Sequence, residues 1–350
     1  MMTRRDAIGV TVAAFTSSAL LRSAPDPGQS ERARRTAWMT GRWGMMCHWI
    51  APGPAPEKGE PIADLNRAVD AFQLDPFLEQ FAASGASYLV LTIGQNTSYY
   101  ASPNATLDRL AGPGHASRRD LILEIAKGIH RQGKRFIAYL PGEIKAPEVL
   151  HKPFAWNPAD QTEFERRYTS FVREYSVRFG KLIDAWWFDG CYTWPDFPNK
   201  VRHWQMWIDA ARAGNPDRPV AFNDGGLLNG VIAPPTPLQD YYSGECAGFR
   251  DGKIILGNGD KRTLFLPSGR FVDGTDIQFH VMTPIDCGGE WAHEKPGPML
   301  PPRFTDAELF PPVLRTLKVG GMMTLNTGIS QEGHLGVQSV AQLKRLSRMV

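Results

Sequence analysis

Apolar residues along the chain occur in short runs that alternate with longer amphipathic stretches. The run "SYLVLTIG" (87–94) has the length of a buried strand, whereas "RRDLILEIAKGIHRQG" (118–133) spaces its apolar positions as helices do. The pattern predicts strands at 41–50, 87–94, 134–143, 181–190, 218–224, 239–245, 276–284 and 322–328. It predicts helices at 75–86, 118–133, 161–180, 200–215, 310–321 and 337–350. Strands that alternate with helices in this way are typical of an α/β fold, the (β/α)8 TIM-type barrel.

Two stretches interrupt the alternation. Residues 225–238 are too rich in Gly and Pro for a full helix. Residues 246–275 contain two strand-like runs around Gly-Asn-Gly-Asp, which indicates a β-hairpin. We expect this hairpin to be an insertion between strands 6 and 7, over the mouth of the barrel.

The N-terminus has the pattern of a bacterial export signal. Arg4 and Arg5 precede an apolar run from Ala7 to Leu21, which is shorter than the roughly 20 residues of a membrane-spanning helix. The paired arginines indicate the twin-arginine type of signal. We expect a removable signal at 1–24, a flexible linker at 25–40 and a single catalytic domain at 41–350. The protein is then periplasmic or secreted, without stable membrane insertion.

Charge and cysteine content exclude several classes of protein. The formal net charge of +3 over 350 residues is small and contains no long basic run, so a nucleic-acid partner is not expected. The four cysteines are scattered, with no Cys-x-x-Cys pair, and no His-x-His or His-Glu-x-x-His spacing occurs. We therefore expect neither a metal site nor a cofactor. No feature of the sequence indicates an oligomeric state.

Polar residues stand where the predicted strands end, which is where catalytic residues lie in this fold. They are His48, Gln95, Asn96, Glu143, Asp189, Asn223, Asp224, Glu245 and Asn326. Each one alone also fits a structural role, since His48 could be a core histidine and Asn223-Asp224 before Gly225 could form a turn. Together, on one rim, they favour a polar pocket. Two carboxylates across such a pocket are what glycoside hydrolysis requires.

Aromatic residues near the same strand ends could stack on sugar rings. The candidates are Trp49, Tyr99, Tyr100, Trp187 and Trp194. Along "WWFDG" (186–190), Trp187 and Asp189 alternate with Trp186 and Phe188, so we expect Trp187 and Asp189 to share the face toward the barrel interior.

Several of these motifs resemble those of the retaining α-L-fucosidases. "WGMMCHWI" (43–50) is similar to the family's "FGIFIHWG" strand, and "LIDAWWFDG" (182–190) resembles its "LWFDG" motif. "GGMMTLNTGISQEGHLG" (320–336) resembles the family's "GGNLLLNIGPDADGTIP". The resemblance extends from about Arg42 to the C-terminus.

The resemblance implies roles for individual residues. It makes Asp189 the nucleophile and His48 a ligand of a sugar hydroxyl. Glu245 in "QDYYSGE" stands where the family often has its acid/base, and the alternatives are Glu290, Glu143 and Glu60. The chain departs from the family at Gln95-Asn96, which replace two sugar-binding histidines. This departure favours a changed sugar.

These observations predict an exported retaining exo-glycosidase of the α-L-fucosidase type, whose partner is a carbohydrate. Asp189 and Glu245 are its predicted catalytic pair. The predicted substrate-binding residues are His48, Trp49, Gln95, Asn96, Tyr99, Trp187 and Asn223. The alternatives are the same chemistry on a sugar other than fucose, a catalytically reduced carbohydrate-binding barrel and, more remotely, a metal-dependent hydrolase.

Overall fold

In the computed structural model, which describes residues 30–146, 148–192 and 202–350, a parallel sheet of seven strands forms the centre of the protein. Its strands are β1 (Trp43–Cys47), β2 (Tyr88–Thr92), β3 (Arg135–Pro141), β4 (Ala185–Asp189), β5 (Val220–Phe222), β9 (His280–Pro284) and β10 (Met322–Asn326). They lie in the order β5-β4-β3-β2-β1-β10-β9, and every neighbouring pair is parallel. The fold is therefore α/β with a sheet of the TIM-barrel type.

The sixth strand predicted at 239–245 is not a continuous strand. Tyr241 and Glu245 instead form isolated parallel bridges to Gln278 and Met282. Gly244 has a φ of +76°, which breaks the extended backbone between these two bridges. On its other side the segment makes a main-chain bond from Asp240 N–H to Val220 O, 2.8 Å long. The segment lies between β5 and β9, where an eighth strand would stand.

Residues 249–265 form a separate antiparallel sheet of three strands. These strands are β6 (Phe249–Arg250), β7 (Lys253–Leu256) and β8 (Thr263–Phe265), with β7 in the middle. The two runs around Gly-Asn-Gly-Asp correspond to β7 and β8, which pair antiparallel.

Ten α-helices occur among the described residues. They are α1 (Glu31–Arg35), α2 (Leu65–Ala71), α3 (Leu74–Ser84), α4 (Ala105–Ala111), α5 (Leu121–Arg131), α6 (His151–Phe154), α7 (Thr162–Phe179), α8 (Trp204–Arg212), α9 (Asp306–Lys318) and α10 (Val337–Ser347). Helix α9 begins four residues before the prediction, because Thr305 and Glu308 form a capping box ahead of its two prolines. None of these helices combines the length and apolar character needed to cross a membrane.

The linker predicted at 25–40 is structured over most of its described part. Ser30 caps α1 by accepting a hydrogen bond from Ala33 N–H, 3.1 Å long. Ala33 and Met39 are buried, and Arg35 forms an ion pair with Asp240. The prediction of a flexible linker was wrong for residues 31–39, because buried apolar side chains and a buried carboxylate hold them in place. The predicted signal at 1–24 lies outside the described residues.

The alternation of side chains along each strand divides the core into two layers. Leu89, Trp186 and Phe188 belong to the larger layer, which includes residues of the surrounding helices. Val90 and Trp187 belong to a smaller layer inside the curved sheet. Asp189 follows Trp187 by two residues and so shares the inner face. This confirms the prediction from "WWFDG".

Candidate active site

Asp189 is the last residue of β4, and main-chain bonds fix the position of its strand end. Gly142 N–H donates to Asp189 O at 2.6 Å. Gly190 then takes a φ of +64°, a conformation that glycine adopts without strain. A Cβ atom at Gly190 would also lie 2.6 Å from Cγ of Glu143. The glycine therefore serves both the turn and the close approach of Glu143.

The Asp189 carboxylate is surrounded by neutral donors. Gln95 Nε2 donates to its Oδ2 at 2.8 Å, and the Tyr139 hydroxyl donates to the same oxygen. Asn223 Nδ2 donates to Oδ1 at 2.8 Å, with the Tyr192 hydroxyl 3.4 Å from that oxygen. These donors come from four different segments of the chain, so the carboxylate is held in one orientation without a counter-ion among them.

Glu245 approaches Asp189 through the same asparagine. Asn223 Nδ2, which donates to Asp189 Oδ1 at 2.8 Å, also donates to Glu245 Oε2 at 2.7 Å. The sum of these two distances is the upper limit on the separation of the two carboxylate oxygens. These two oxygens are therefore closer than the about 6.5–9.5 Å that separates the carboxyl groups of inverting glycosidases, and the limit is compatible with the about 5–5.5 Å of retaining ones.

The environment of Glu245 favours its protonated form. Burial, followed by the nearby negative charge of Asp189, raises the pKa of Glu245 from 4.5 to about 7. Near neutral pH Glu245 can therefore hold a proton beside the Asp189 carboxyl group. A raised pKa of this kind suits a group that gives a proton to a leaving oxygen.

The other predicted acids occupy different positions. Glu143 is buried beside the strand end, where Lys145 N–H donates to it and burial raises its pKa to about 7. Glu60 and Glu290 are exposed. Glu290 lines a cavity of about 450 Å³ formed by residues 287–300. Of the four candidate acids, Glu245 is the one that shares a hydrogen-bond donor with Asp189.

His48 lies on the inner side of the sheet, next to the carboxylates. Its Nδ1 is 2.9 Å from Asn326 Oδ1, and Asn326 Nδ2 donates to Trp291 O at 2.9 Å. The Asn326 oxygen therefore faces the imidazole, which must carry its proton on Nδ1. Burial lowers the pKa of His48, so the ring is neutral and Nε2 is an acceptor. A neutral imidazole of this kind can accept a hydrogen bond from a sugar hydroxyl.

Two predicted sugar platforms are parts of packed layers. Trp49 is 1% exposed, packs on Phe72 at 5.7 Å and donates from its indole to Gln331 O. The prediction that Trp49 binds substrate was wrong, because its ring faces the core shared with Phe72. Trp187 stacks on Tyr139 at 5.0 Å and supports the tyrosine that bonds Asp189.

The remaining predicted binding residues lie at the edge of the site. Asn96 is exposed with a φ of +42°, whereas its neighbour Gln95 bonds Asp189. Tyr99 is half-buried and its ring lies 6.4 Å from that of His115. Tyr100 is buried against Phe171, so it is not a platform either. Trp194 lies outside the described residues.

Sequence reasoning missed three residues of the site, two beside the carboxylates and one beside His48. Tyr139 and Tyr192 contribute hydroxyl donors, and Trp291 packs its ring 5.5 Å from that of His48. The position of Tyr139 could have been predicted, since it stands two residues before the end of β3 at Pro141. Trp291 follows β9 in a loop, and no periodicity assigns a loop residue to a face.

Neither metal-binding clusters nor disulfides occur among the described residues. No group of three His, Cys, Asp or Glu side chains within them is arranged to hold a metal ion. Cys47, Cys191, Cys246 and Cys287 are all buried free thiols.

Comparison with known proteins gives a likeness at the level of the fold. No family model and no curated protein matches the sequence. Among solved structures, the α-L-fucosidase isoenzyme 1 from Paenibacillus thiaminolyticus is similar over 91% of this chain and 76% of its own, with 18% identity and a TM-score of 0.60. The endo-fucoidan hydrolase P5AFcnA from glycoside hydrolase family 107 is similar over 90% of this chain and 92% of its own, with 14% identity and a TM-score of 0.61.

A third structure shows that the likeness can cover only part of a larger protein. The endo-fucoidan hydrolase MfFcnA4, also from family 107, is similar over 93% of this chain with 18% identity and a TM-score of 0.59. This chain spans 54% of its length. At these identities the comparisons establish a common α/β fold of the TIM-barrel type.

Proposed function

We propose that the protein is a retaining glycoside hydrolase of the α-L-fucosidase type. The observation that carries the proposal is the shared donor Asn223 Nδ2, which brings Asp189 and Glu245 to the spacing of a nucleophile and its acid/base. The shared fold supports it, because the structurally similar proteins are named as α-L-fucosidases and endo-fucoidan hydrolases.

The proposed reaction proceeds in two displacements. Asp189 Oδ attacks the anomeric carbon while the Glu245 carboxyl proton passes to the glycosidic oxygen, which breaks the glycosidic bond and leaves a glycosyl ester on Asp189. The ester no longer carries the charge that raised the pKa of Glu245. Glu245 then stays ionised, removes a proton from water and so directs hydroxide to the anomeric carbon. The sugar leaves and Asp189 is regenerated.

We propose that His48 Nε2 and the Gln95 amide read hydroxyl groups of the sugar. Fucose is the favoured sugar, because the motifs at 43–50, 182–190 and 320–336 and the names of the similar structures agree on it. The Gln95-Asn96 departure favours a different sugar, which is the alternative that the glycoside panel decides. We favour cleavage at a chain end, as in the fucosidases. The alternative is cleavage within a chain, which the names of the family 107 proteins state for those proteins. The substrate test below decides between the two.

The proposal extends to the organisation and location of the protein. Residues 239–246 complete the barrel between β5 and β9, and the three-stranded sheet of β6, β7 and β8 covers part of its mouth. The single catalytic domain is preceded by a twin-arginine signal, which would place the enzyme in the periplasm or outside the cell.

Hydrolysis of a panel of nitrophenyl glycosides, with the α-L-fucoside among them, tests the function. Asp189→Ala should lower turnover by at least about 10³-fold, because the covalent step is lost. Glu245→Gln should lower it by about 10²–10⁴-fold, and least for substrates with a nitrophenolate leaving group that needs little protonation. Exposed Glu60→Gln is the matched control and should keep wild-type turnover.

The stereochemical course separates a retaining from an inverting enzyme. Proton NMR of the first-formed sugar should show the same anomer as the substrate, and a fluoro-sugar should label Asp189. Inversion would contradict the assignment of Asp189 as nucleophile. Sugar binding by calorimetry without turnover on any glycoside would instead favour a carbohydrate-binding barrel. Release of oligosaccharides from fucoidan with no release of fucose would replace the exo assignment by endo cleavage.

A further inference from the structure

We propose that Asn223 is a positioning residue, which holds Asp189 and Glu245 at a fixed separation, and is not a ligand of the sugar. The catalytic part of this inference rests on the proposed function, whereas the hydrogen bonds of Asn223 do not depend on it. It corrects the prediction that placed Asn223 among the substrate-binding residues.

Both ends of the Asn223 amide are already occupied. Gly225 N–H donates to its Oδ1 at 3.1 Å, which directs Nδ2 to the opposite side. Nδ2 carries two hydrogens, and its two acceptors are Asp189 Oδ1 and Glu245 Oε2. An amide nitrogen has no further proton to donate to a substrate. The side chain is buried, with 1% of its surface exposed.

The main chain of Asn223 fixes this amide to the strand that carries Asp189. Its N–H donates to Phe188 O at 2.7 Å, and its carbonyl accepts from Cys191 N–H at 2.8 Å. These two bonds reach the residues just before and just after the Asp189-Gly190 turn. The distance between the Asn223 side chain and Asp189 is therefore set by the sheet.

The choice of an amide has a physical reason. Two carboxylates at this distance repel each other, and a shared donor offsets the repulsion while holding them together. A lysine in this place would put a positive charge beside both carboxyl groups and so lower the pKa of Glu245. A serine hydroxyl could donate to only one of the two. An asparagine provides two N–H donors on one atom and adds no charge.

Several titratable groups surround Glu245 and must be counted in any test of this arrangement. Asp189 on β4 and Asp224 after β5 both act on the Glu245 carboxyl through their charges. Tyr139 on β3 and Tyr192 in the loop after β4 lie close enough for their charge to interact with that of Glu245. Tyr139 and Tyr192 remain protonated in the neutral range because burial raises the pKa of each.

The first test is a titration that requires no substrate. Carbon-13 NMR of the side-chain carboxyls should show a coupled Asp189–Glu245 pair, whose upper midpoint is removed in Glu245→Gln. Asn223→Ala should raise that midpoint by about one pH unit, because a hydrogen bond that favours the charged form is lost. Asn223→Asp, which keeps the shape and the Gly225 bond, should raise it further by adding a third carboxyl. An unchanged midpoint in either folded variant overturns the proposal.

Asn104 offers a matched control. Its side chain is equally buried and caps α4 by accepting from Leu107 N–H, while its Nδ2 donates to Phe171 O. Asn104→Asp should lower the thermal midpoint without moving the carboxyl titration. A shift of the titration in this variant would mean that the Asn223 effect is a general result of lost packing, which would also overturn the proposal.

The second test uses turnover and separates the two proposals. If Asn223 positions the carboxyl groups, Asn223→Ala should lower kcat by at least about tenfold, leave KM within about twofold, and move the basic limb of the pH profile upward. A raised KM with unchanged kcat identifies a sugar ligand and overturns the inference. If the wild-type protein hydrolyses nothing while the titration shift occurs, the proposed function fails and the positioning role stands.

Discussion

Buried carboxylates have different hydrogen-bond donors at the two ends of the sheet. At the amino-terminal end, Asp240 accepts hydrogen bonds from Arg35 at 3.0 Å and from Arg212 at 2.7 Å. Asp184 at the same end accepts from His130 and Arg135. At the carboxyl-terminal end, Asp189 accepts hydrogen bonds from neutral groups and shares one of these donors with another acid, Glu245.

This difference in partners indicates a stabilising role for the carboxylates at the amino-terminal end and a functional role for those at the carboxyl-terminal end. Buried charges that contribute to stability are paired with opposite charges, as Asp240 is. At the other end, burial and the nearby Asp189 charge raise the pKa of Glu245 to about 7, and burial raises the pKa of Asp224 to about 6. Such an arrangement is unfavourable for folding at neutral pH, and perturbed groups of this kind cluster at active sites. The following predictions test the contrast between the two ends.

Removing a charge should destabilise the amino-terminal end more than the carboxyl-terminal end. Asp240→Asn leaves Arg35 and Arg212 without their buried partner and should lower the free energy of unfolding by about 3–5 kcal/mol. Asp189→Asn should lower it much less, since the hydrogen bonds lost from Gln95 or Asn223 are offset by removal of a charge close to another acid. Chemical denaturation at pH 7 measures both. Asp217→Asn, which breaks the exposed pair with Arg34, is the control and should cost about 0–1 kcal/mol. Equal losses at Asp240 and Asp189 would refute the contrast.

Ionisation of the buried Glu143 carboxyl group should lower the free energy of unfolding as the pH rises. Burial raises its pKa from 4.5 to about 7, so its contribution is fully present below pH 4.5 and is lost as the pH rises through 7. Glu143→Gln can still accept from Lys145 N–H and carries no charge at either pH. The free energy of unfolding of the variant minus that of the wild type should therefore increase by about 3 kcal/mol from pH 4.5 to pH 8. Urea unfolding of both proteins across this range measures the difference. If the free energies of unfolding of the variant and the wild type depend on pH in the same way, burial does not raise the pKa of Glu143.

The turn after the proposed nucleophile should be sensitive to a single methyl group. Gly190→Ala adds positive-φ strain and a contact with Glu143 Cγ, and should cost about 1–3 kcal/mol. Gly133→Ala at the end of α5 has a similar φ of +69° and nothing near the added carbon, so it measures the strain alone. Thermal unfolding of the two variants gives the cost of crowding Glu143 as their difference. If the two losses are equal, Glu143 moves aside freely.

The smallest effect should come from the acid that the fold leaves at the surface. Glu290 is exposed on the 287–300 loop, so Glu290→Gln should change turnover by less than about twofold. The measurement is the nitrophenyl glycoside assay, with Glu245→Gln in parallel. A loss at Glu290 as large as that at Glu245 would reassign the acid/base.

Part of the site could be predicted from the sequence because strand ends in an α/β sheet meet on one edge. The alternation in "WWFDG" assigned Trp187 and Asp189 to the inner face, and the structure confirms it. Trp49 is predicted to stack on a sugar because it is an aromatic residue at the same strand end as His48. The two side chains diverge, since His48 faces Asn326 while Trp49 packs on Phe72. Periodicity gives the face of a residue within a strand and fails just beyond the strand end.

By itself the sequence determined seven of the eight predicted strands, the six longest helices and the strand ends that carry polar groups. These follow from local patterns, because hydrophobic spacing and turn residues act over a few positions. The candidate pair Asp189 and Glu245 came from the resemblance of the motifs to the α-L-fucosidases. Only the tertiary structure decided that Asn223 bonds both carboxylates, that Tyr139 and Gln95 share one oxygen of Asp189, and that Glu60 and Glu290 remain exposed. Those outcomes depend on which side chains converge from distant segments, and such contacts are fixed by packing in three dimensions.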